Sequence, residues 1–212
     1  MHRSTEATRS SVGRVAFLLG PISDGRLAAV LRDASGREPS YAAVGATRTG
    51  DMREVPGGFH VDHLRMDVAA ADPAGAFAAG VRALRGWEVH RGAGAPVFPA
   101  AAALAEGETV VVTLRLLPSL VTVAAPCRVV YVTDEPDRFG FGYGTLPGHP
   151  EAGEEAFHVV RTGEGIRFEI DVLWKPVHPL VRLGGPVSRR VQATMTRRYL
   201  AAFRRAVTTA AG

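Results

Sequence analysis

The chain has 212 residues, 46% of them hydrophobic and 22% charged, with 25 Lys and Arg residues against 21 Asp and Glu residues. This composition is typical of globular proteins and excludes general disorder and fibrous repeats. The single cysteine, Cys127, excludes an internal disulfide, and its apolar setting predicts an inert thiol in the core. No apolar run reaches the roughly 18 residues that span a bilayer, so we expect a cytoplasmic protein without a membrane span.

The positive charge is concentrated at the C-terminal end. After Pro176 the chain has seven arginines and no acidic residue, whereas 18 basic residues stand against 21 acidic ones before that point. Aromatic residues are not interleaved on this arginine face, which favours a solvated helix surface and no nucleic-acid partner. An adaptor for nucleic acid or for an acidic partner is the weaker alternative.

Residues 1–40 are expected to form an N-terminal extension to a domain that covers residues 41–212. The segment Met1–Ser11 is polar and has no periodicity, which predicts disorder. A short helix is predicted to begin near Asp24 and to end at Gly36, because apolar residues recur on one helical face between them.

The domain is predicted to begin with a strand and a helix, followed by a region that consists almost wholly of strands. The strand covers Phe59–Val68, and the helix runs from an Asp72 N-cap, with Pro73 at its first position, to about Arg85. From Trp87 to Lys175 alternating apolar residues and short turns predict an antiparallel meander. Its strands are about Val110–Leu116, Val123–Thr133, Arg138–Thr145, Glu154–Thr162 and Ile166–Lys175.

A long amphipathic helix is predicted at the end of the chain, over about Pro186–Val207. It carries one apolar stripe, between Val191 and Ala206, and arginines on the opposite side. A curved antiparallel sheet needs such a stripe to cover its concave face. The sequence therefore predicts an α+β helix-grip fold of about seven strands around the C-terminal helix, an arrangement that usually encloses a cavity.

The segment Arg138–His158 has the highest density of aromatic, glycine and titratable residues. Alternation places three aromatic side chains on one face of its first strand and three glycines on the other. A glycine-lined face permits sharp curvature or the close approach of another backbone or a ligand. The aromatic side chains are Phe139, Phe141 and Tyr143, and the glycines are Gly140, Gly142 and Gly144.

The turn and strand that follow supply the candidate catalytic residues. Pro147–Pro150 forms a stiff turn that holds His149 in place, and alternation puts Glu154 and Glu155 on opposite faces of the next strand. One carboxylate, which we take to be Glu155, faces the cavity, where desolvation raises its pKa and suits it to general acid–base catalysis. Alternatively, the glutamate bonds backbone groups of the turn or pairs with an arginine.

We expect no metal and no cofactor. His149, Glu151 and His158 have spacings that match no established zinc or iron pattern. His60 and His63 are interpreted as ordinary strand residues. The glycine-rich run does not fit a dinucleotide-binding motif, because a strand follows it where that motif requires a helix.

One run of residues resembles a known family. The run Tyr143–Glu151 (YGTLPGHPE), together with Glu154, Glu155 and Phe157, is similar to the signature of the domain of unknown function nineteen-ninety. The resemblance covers about residues 41–207 and implies membership of the START-like, helix-grip superfamily. One departure is Trp174–Pro176, where family members are expected to have a triplet like Ser-Arg-Pro. Further matching residues are Tyr41, Val44–Thr47, Trp87, Pro126–Val130, Leu183–Pro186 and Gln192.

Two functions are compatible with these observations. The first is binding of a small, largely apolar molecule between the sheet and the C-terminal helix. The second is an enzyme of the cyclase, dehydratase or hydrolase type, in which Glu155 or Glu154 acts as acid or base with His149 and Tyr143. A third possibility is that the aromatic side chains simply fill a solid core. The predicted cavity walls are Phe139, Phe141, Tyr143, Phe157, Phe168, Trp174, Met195 and Tyr199.

Overall fold

The computed structural model describes residues 16–50, 52, 55, 57–116, 120–179, 181 and 185–209. The segment predicted to be disordered, Met1–Ser11, lies outside them. The helices are α1 (Asp24–Ala34), α2 (Pro73–Arg85), α3 (Glu88–Ala93) and α4 (Gly185–Thr209). The strands are β1 (Ala16–Leu19), β2 (His60–Ala69), β3 (Val97–Phe98), β4 (Thr109–Leu116), β5 (Val121–Glu135), β6 (Arg138–Thr145), β7 (Glu151–Thr162) and β8 (Gly165–Pro176).

One antiparallel sheet contains all of these strands, in the order β2-β8-β7-β6-β5-β4-β3. The strand β1 also pairs with β5, where its four residues lie beside Val121–Ala124. This position is free because β5 is longer than β6, which pairs only with the second half of β5. The four-residue β1 and the two-residue β3 are too short for their own sequences to predict them.

The helices α2, α3 and α4 pack together on one side of the sheet, which we call the inner face. Their apolar side chains form one core with the inward residues of the strands. Phe203 of α4 and Phe168 of β8 are fully buried, and their rings stack with centroids 3.9 Å apart. The predicted α+β architecture, an antiparallel sheet with a long C-terminal helix, is confirmed.

The region after Trp87, predicted to consist almost wholly of strands, begins with a helix, α3, that the sequence analysis did not identify. This helix has six residues, too few to show a helical period. Trp87 precedes it in a left-handed backbone conformation, with φ 56°, and its indole NH donates to the Ala102 carbonyl at 3.0 Å. The buried tryptophan therefore fixes the connection between α2 and α3.

The first described residues also pack on the sheet. Leu27 of α1 forms a small cluster with Val111 and Ala124 on the side opposite α4, which we call the outer face. The division of the chain at residue 40 stays a prediction. Within the described ranges, no helix combines the length and apolarity needed to cross a membrane.

Candidate functional site

The adjacent glutamates of β7 lie on opposite faces of the sheet. In the register of β6 and β7, Glu155 stands opposite Tyr143 and Glu154 stands opposite Gly144. Since neighbouring side chains of a strand point to opposite faces, these two carboxyl groups enter two different environments.

On the outer face, the Glu154 carboxylate accepts four hydrogen bonds from the segment that precedes β2. Tyr41 Oη donates to Oε2 at 2.5 Å, and the Gly45 amide donates to the same oxygen at 2.7 Å. The Thr47 amide donates to Oε1 at 3.0 Å, and the Thr47 hydroxyl donates to that oxygen as well. Only 2% of Glu154 is exposed, so these donors replace its water shell. Glu154 holds this segment on the sheet.

The three glycines of β6 leave room for rings on this face. A Cβ atom at Gly144 would overlap the Tyr41 ring, and one at Gly142 would overlap the Tyr131 ring. A Cβ atom at Gly140 would overlap the imidazole of His158. The sequence analysis expected another backbone or a ligand at the glycine-lined face, whereas the groups that approach it are side-chain rings of the chain itself.

A second polar cluster on the outer face contains His158, Glu169 and Asp171, all buried. One ligand atom of each lies within 4.8 Å of the others, close enough to ligate a cation, but basic side chains already contact both carboxylates. Both Glu169 oxygens already bond arginines, Arg65 at 3.2 Å and Arg138 at 3.0 Å. Burial lowers the pKa of His158 to about 3, so its imidazole is neutral. His149 and Glu151, which were considered with His158 as a metal site and rejected on spacing, lie on the opposite face of the sheet from His158.

On the inner face a cavity of about 130 Å³ lies between the sheet and α4. It is close in size to an apolar cavity of about 150 Å³ that admits benzene in another protein. Its wall is mainly apolar; most polar side chains lie between the end of β6 and the start of β7, and two lie on α4. Apolar lining residues include Ala95, Val112, Leu114, Val123, Ala125, Val172 and Met195; polar ones include Tyr143, His149, Glu151, Glu155, Gln192 and Tyr199.

Glu155 is the polar centre of this wall. Tyr143 Oη donates to its Oε2 at 2.6 Å, and Tyr199 of α4 borders the same cavity. Burial raises the pKa of Glu155 to about 7, although the bond from Tyr143 opposes the shift. The Glu155 carboxyl group therefore exchanges a proton near neutral pH, as a general acid or base requires.

Glu151 and His149 complete the polar wall. Burial, and then the charge of Glu155, raise the pKa of Glu151 to about 7. His149 Nδ1 lies 3.0 Å from the Glu151 amide nitrogen and 2.9 Å from the Glu151 carbonyl oxygen. Burial lowers the pKa of His149 to about 4, so its imidazole is neutral when the two carboxyl groups titrate.

The predicted site residues separate into three groups. Tyr143, His149, Glu155, Trp174, Met195 and Tyr199 border the cavity together. Glu154 also lines the cavity, but its carboxylate is bound on the outer face. Four phenylalanines are fully buried in the neighbouring core and do not border the cavity, because the helices pack directly on them. They are Phe139, Phe141, Phe157 and Phe168.

Sequence reasoning did not assign roles to Thr47, His90 or Gln192. His90 is fully buried among the rings of Trp87, Phe157 and Tyr199, with neither nitrogen bonded within the described residues. A helical period could have placed Gln192 beside Met195 on the covered side of α4. Nothing local to Thr47 indicates its bond to a residue 107 positions later.

Comparisons with known proteins identify relatives in bacteria and plants. A family profile described as "Domain of unknown function (DUF1990)" matches residues 40–202. A UPF0548 protein of Deinococcus radiodurans is 32% identical over 197 residues, 86% of this chain and 94% of the relative. A UPF0548 protein of Arabidopsis thaliana is 34% identical over 136 residues, 61% of this chain and 64% of the relative.

Solved structures with similar folds are more distant in sequence. A conserved protein from Geobacillus kaustophilus has a TM-score of 0.49 and 7% identity, covering 73% of this chain and 97% of its own. Major latex-like protein 151 of Panax ginseng has a TM-score of 0.45 and 15% identity, covering 74% and 99%. None of these similarities specifies a ligand or a reaction for this chain.

Proposed function

The chain belongs to the family of the domain of unknown function DUF1990, and we propose that it binds a small, largely apolar ligand in the cavity between the sheet and α4. The observation that carries this proposal is the cavity itself, an apolar space of about 130 Å³ with polar groups gathered on one wall. Pockets of this character are typical of small-molecule sites.

The polar wall supports a ligand with one hydrogen-bonding group. Below pH 7 the Glu155 carboxyl group is protonated and can donate, and above it the carboxylate can accept. Tyr143 holds this group in place through its hydroxyl, which donates to Glu155. The cavity volume matches a single ring or a short chain, so phenol is a suitable probe of the proposed binding mode.

A titration of phenol, followed by ligand-observed NMR, tests the proposal. Ala125 borders the cavity, and Ala125→Leu fills part of it, whereas Ala193→Leu adds the same atoms to the exposed side of α4. We expect the wild type and Ala193→Leu to bind phenol in the millimolar range, and Ala125→Leu to lose binding without loss of folding. Equal binding by both variants would contradict the proposal.

The acid–base enzyme is a second proposal, favoured by two cavity carboxyl groups with pKa values near 7. We assign the acid–base role to Glu155, with Tyr143 and His149 as partners, and not to Glu154, whose oxygens are occupied. A base that faces the cavity should exchange the methyl protons of bound acetophenone for deuterium. We expect an exchange rate that rises through pH 7 and is abolished in Glu155→Gln. If exchange is no faster than in solvent without the protein, the acid–base proposal is contradicted and only the binding proposal remains.

A further inference from the structure

A groove of about 240 Å³ opens beside the cavity, between β4 and α4. Three residues border both spaces: Leu114 of β4, and Val191 and Met195 of α4. The groove and the cavity are therefore neighbouring compartments that share a wall. If a ligand places its apolar part in the cavity, the groove is the nearest exposed surface on the side of β4 and α4.

Three exposed arginines border the groove. Arg115 comes from β4, and Arg190 and Arg198 come from α4, two helical turns apart. No ion pair involves any of the three among the residues that the structure describes. Their guanidinium groups are accordingly available for an anion, which arginine binds through paired N–H donors.

The sequence supports this positive potential independently of the side-chain positions. No Asp or Glu occurs between Glu108 and Asp134, which covers β4 and most of β5, and none occurs after Asp171, which covers all of α4. The two elements that form the groove thus supply arginines without a carboxylate. Two of the groove arginines, Arg190 and Arg198, belong to the helix face that the sequence analysis interpreted as solvated.

We propose that the groove is an anion subsite for the cavity ligand, which would be an amphipathic molecule with a ring or short chain and a carboxylate or phosphate group. This inference rests on the proposed binding function and specifies its ligand class. The apolar part would occupy the cavity, and the anionic group would lie among Arg115, Arg190 and Arg198. Charge attraction would then select anions over neutral molecules of the same shape.

The experiment compares probes that share a phenyl group and differ in charge. Hydrocinnamate and phenethyl phosphate are the anions, and hydrocinnamyl alcohol is the neutral reference. Each is titrated by calorimetry below pH 7, where Glu155 is protonated, at low and high salt. We expect both anions to bind the wild type about tenfold more tightly than the alcohol, and added salt to weaken only the anions.

Arginine substitutions test whether the groove causes the preference for anions. Arg190→Gln with Arg198→Gln removes two charges from the groove, whereas Arg189→Gln with Arg204→Gln removes two exposed charges elsewhere on α4. We expect the first pair to abolish the preference for anions and the second pair to retain most of it. Arg115→Gln tests the sheet side of the groove independently.

The outcomes separate the two proposals. An alcohol that binds as tightly as the anions, or an equal loss in both double variants, would overturn the anion subsite and leave the cavity proposal intact. Failure of every probe to bind the wild type would overturn both proposals. All five arginines are exposed, and equal melting temperatures of the variants check that folding is unaffected.

Discussion

Glu154 and Glu155 are neighbours in β7, yet the sheet gives them opposite environments. On the outer face, two backbone amides and two hydroxyls complete the bonding of Glu154. On the inner face, Tyr143 donates the one side-chain bond that the described residues offer Glu155. A buried carboxylate is stabilised when several donors surround it and is disfavoured when few do. We therefore expect Glu154 to stabilise the fold and Glu155 to act in the proposed ligand site.

The largest expected effect comes from blocking the outer contact at Gly144. Gly144→Val places atoms where the Tyr41 ring lies, so it displaces the phenol that donates to Glu154. We expect a loss of about 3 kcal/mol or more in the free energy of unfolding, measured in urea. Gly163→Val is the control, since its added atoms meet open space in the turn between β7 and β8. Similar losses in both variants would contradict the stabilising role of the contact between Tyr41 and Glu154.

How much of this could be predicted from the sequence depends on the range of each interaction. Alternation is local, so it predicted correctly that Glu154 and Glu155 face opposite ways. The partners of Glu154 lie between 107 and 113 residues earlier, and no local pattern reveals such a pairing. The glycines at alternate positions of β6 indicated that something packs closely on that face, but not that side-chain rings of the chain itself do so. Alternation likewise placed Phe157 on the inner face but could not show that α4 packs directly on it.

Tyr41→Phe is expected to produce the next largest effect. The change removes one hydroxyl and leaves a buried carboxylate oxygen with one donor fewer. Hydrogen bonds to charged groups contribute about 1.5–3 kcal/mol, so we expect a loss of about 2 kcal/mol in urea unfolding. A change below about 0.5 kcal/mol would show that Glu154 does not depend on this donor.

The pH dependence of stability should differ between wild type and Glu155→Gln. Between pH 4.5 and about 7 the carboxyl group ionises in the unfolded chain but stays protonated in the folded protein. The folded state then binds more protons, so the wild type loses stability relative to the variant as pH rises through this window. We expect a change on the order of 1–2 kcal/mol, with a plateau above pH 7.

Two results would contradict the predicted loss of wild-type stability, relative to Glu155→Gln, with rising pH. A difference that is constant with pH would mean that Glu155 titrates alike in both states. A wild type that gains stability over this range relative to the variant would mean that the carboxylate is well solvated or paired. Neutral His90, His149 and His158 contribute equally to both proteins, so they cancel in the difference. Glu151 does not cancel: the charge of Glu155 raises its pKa only in the wild type, which adds to the loss of stability in the same direction.

Tyr143→Phe should have the smallest effect on stability and a clear effect on titration. It removes the same atom as Tyr41→Phe, but from the inner face, where Glu155 borders a cavity. We expect a loss of about 1 kcal/mol or less. Because the bond from Tyr143 opposes the raised pKa of Glu155, its loss should move that pKa above about 7, as carboxyl carbon NMR would show. An unchanged pKa would exclude this coupling.

The most direct test is urea unfolding of Glu154→Gln and Glu155→Gln side by side at pH 8, above the raised pKa of Glu155. The two changes are chemically identical and one residue apart. Glu154→Gln turns a buried acceptor partly into a donor among four donors, so we predict a loss of about 2–3 kcal/mol. Glu155→Gln removes a poorly solvated charge, so we predict equal or higher stability than wild type. Equal large losses, or the reverse order, would contradict the assignment of stability to Glu154 and of ligand chemistry to Glu155.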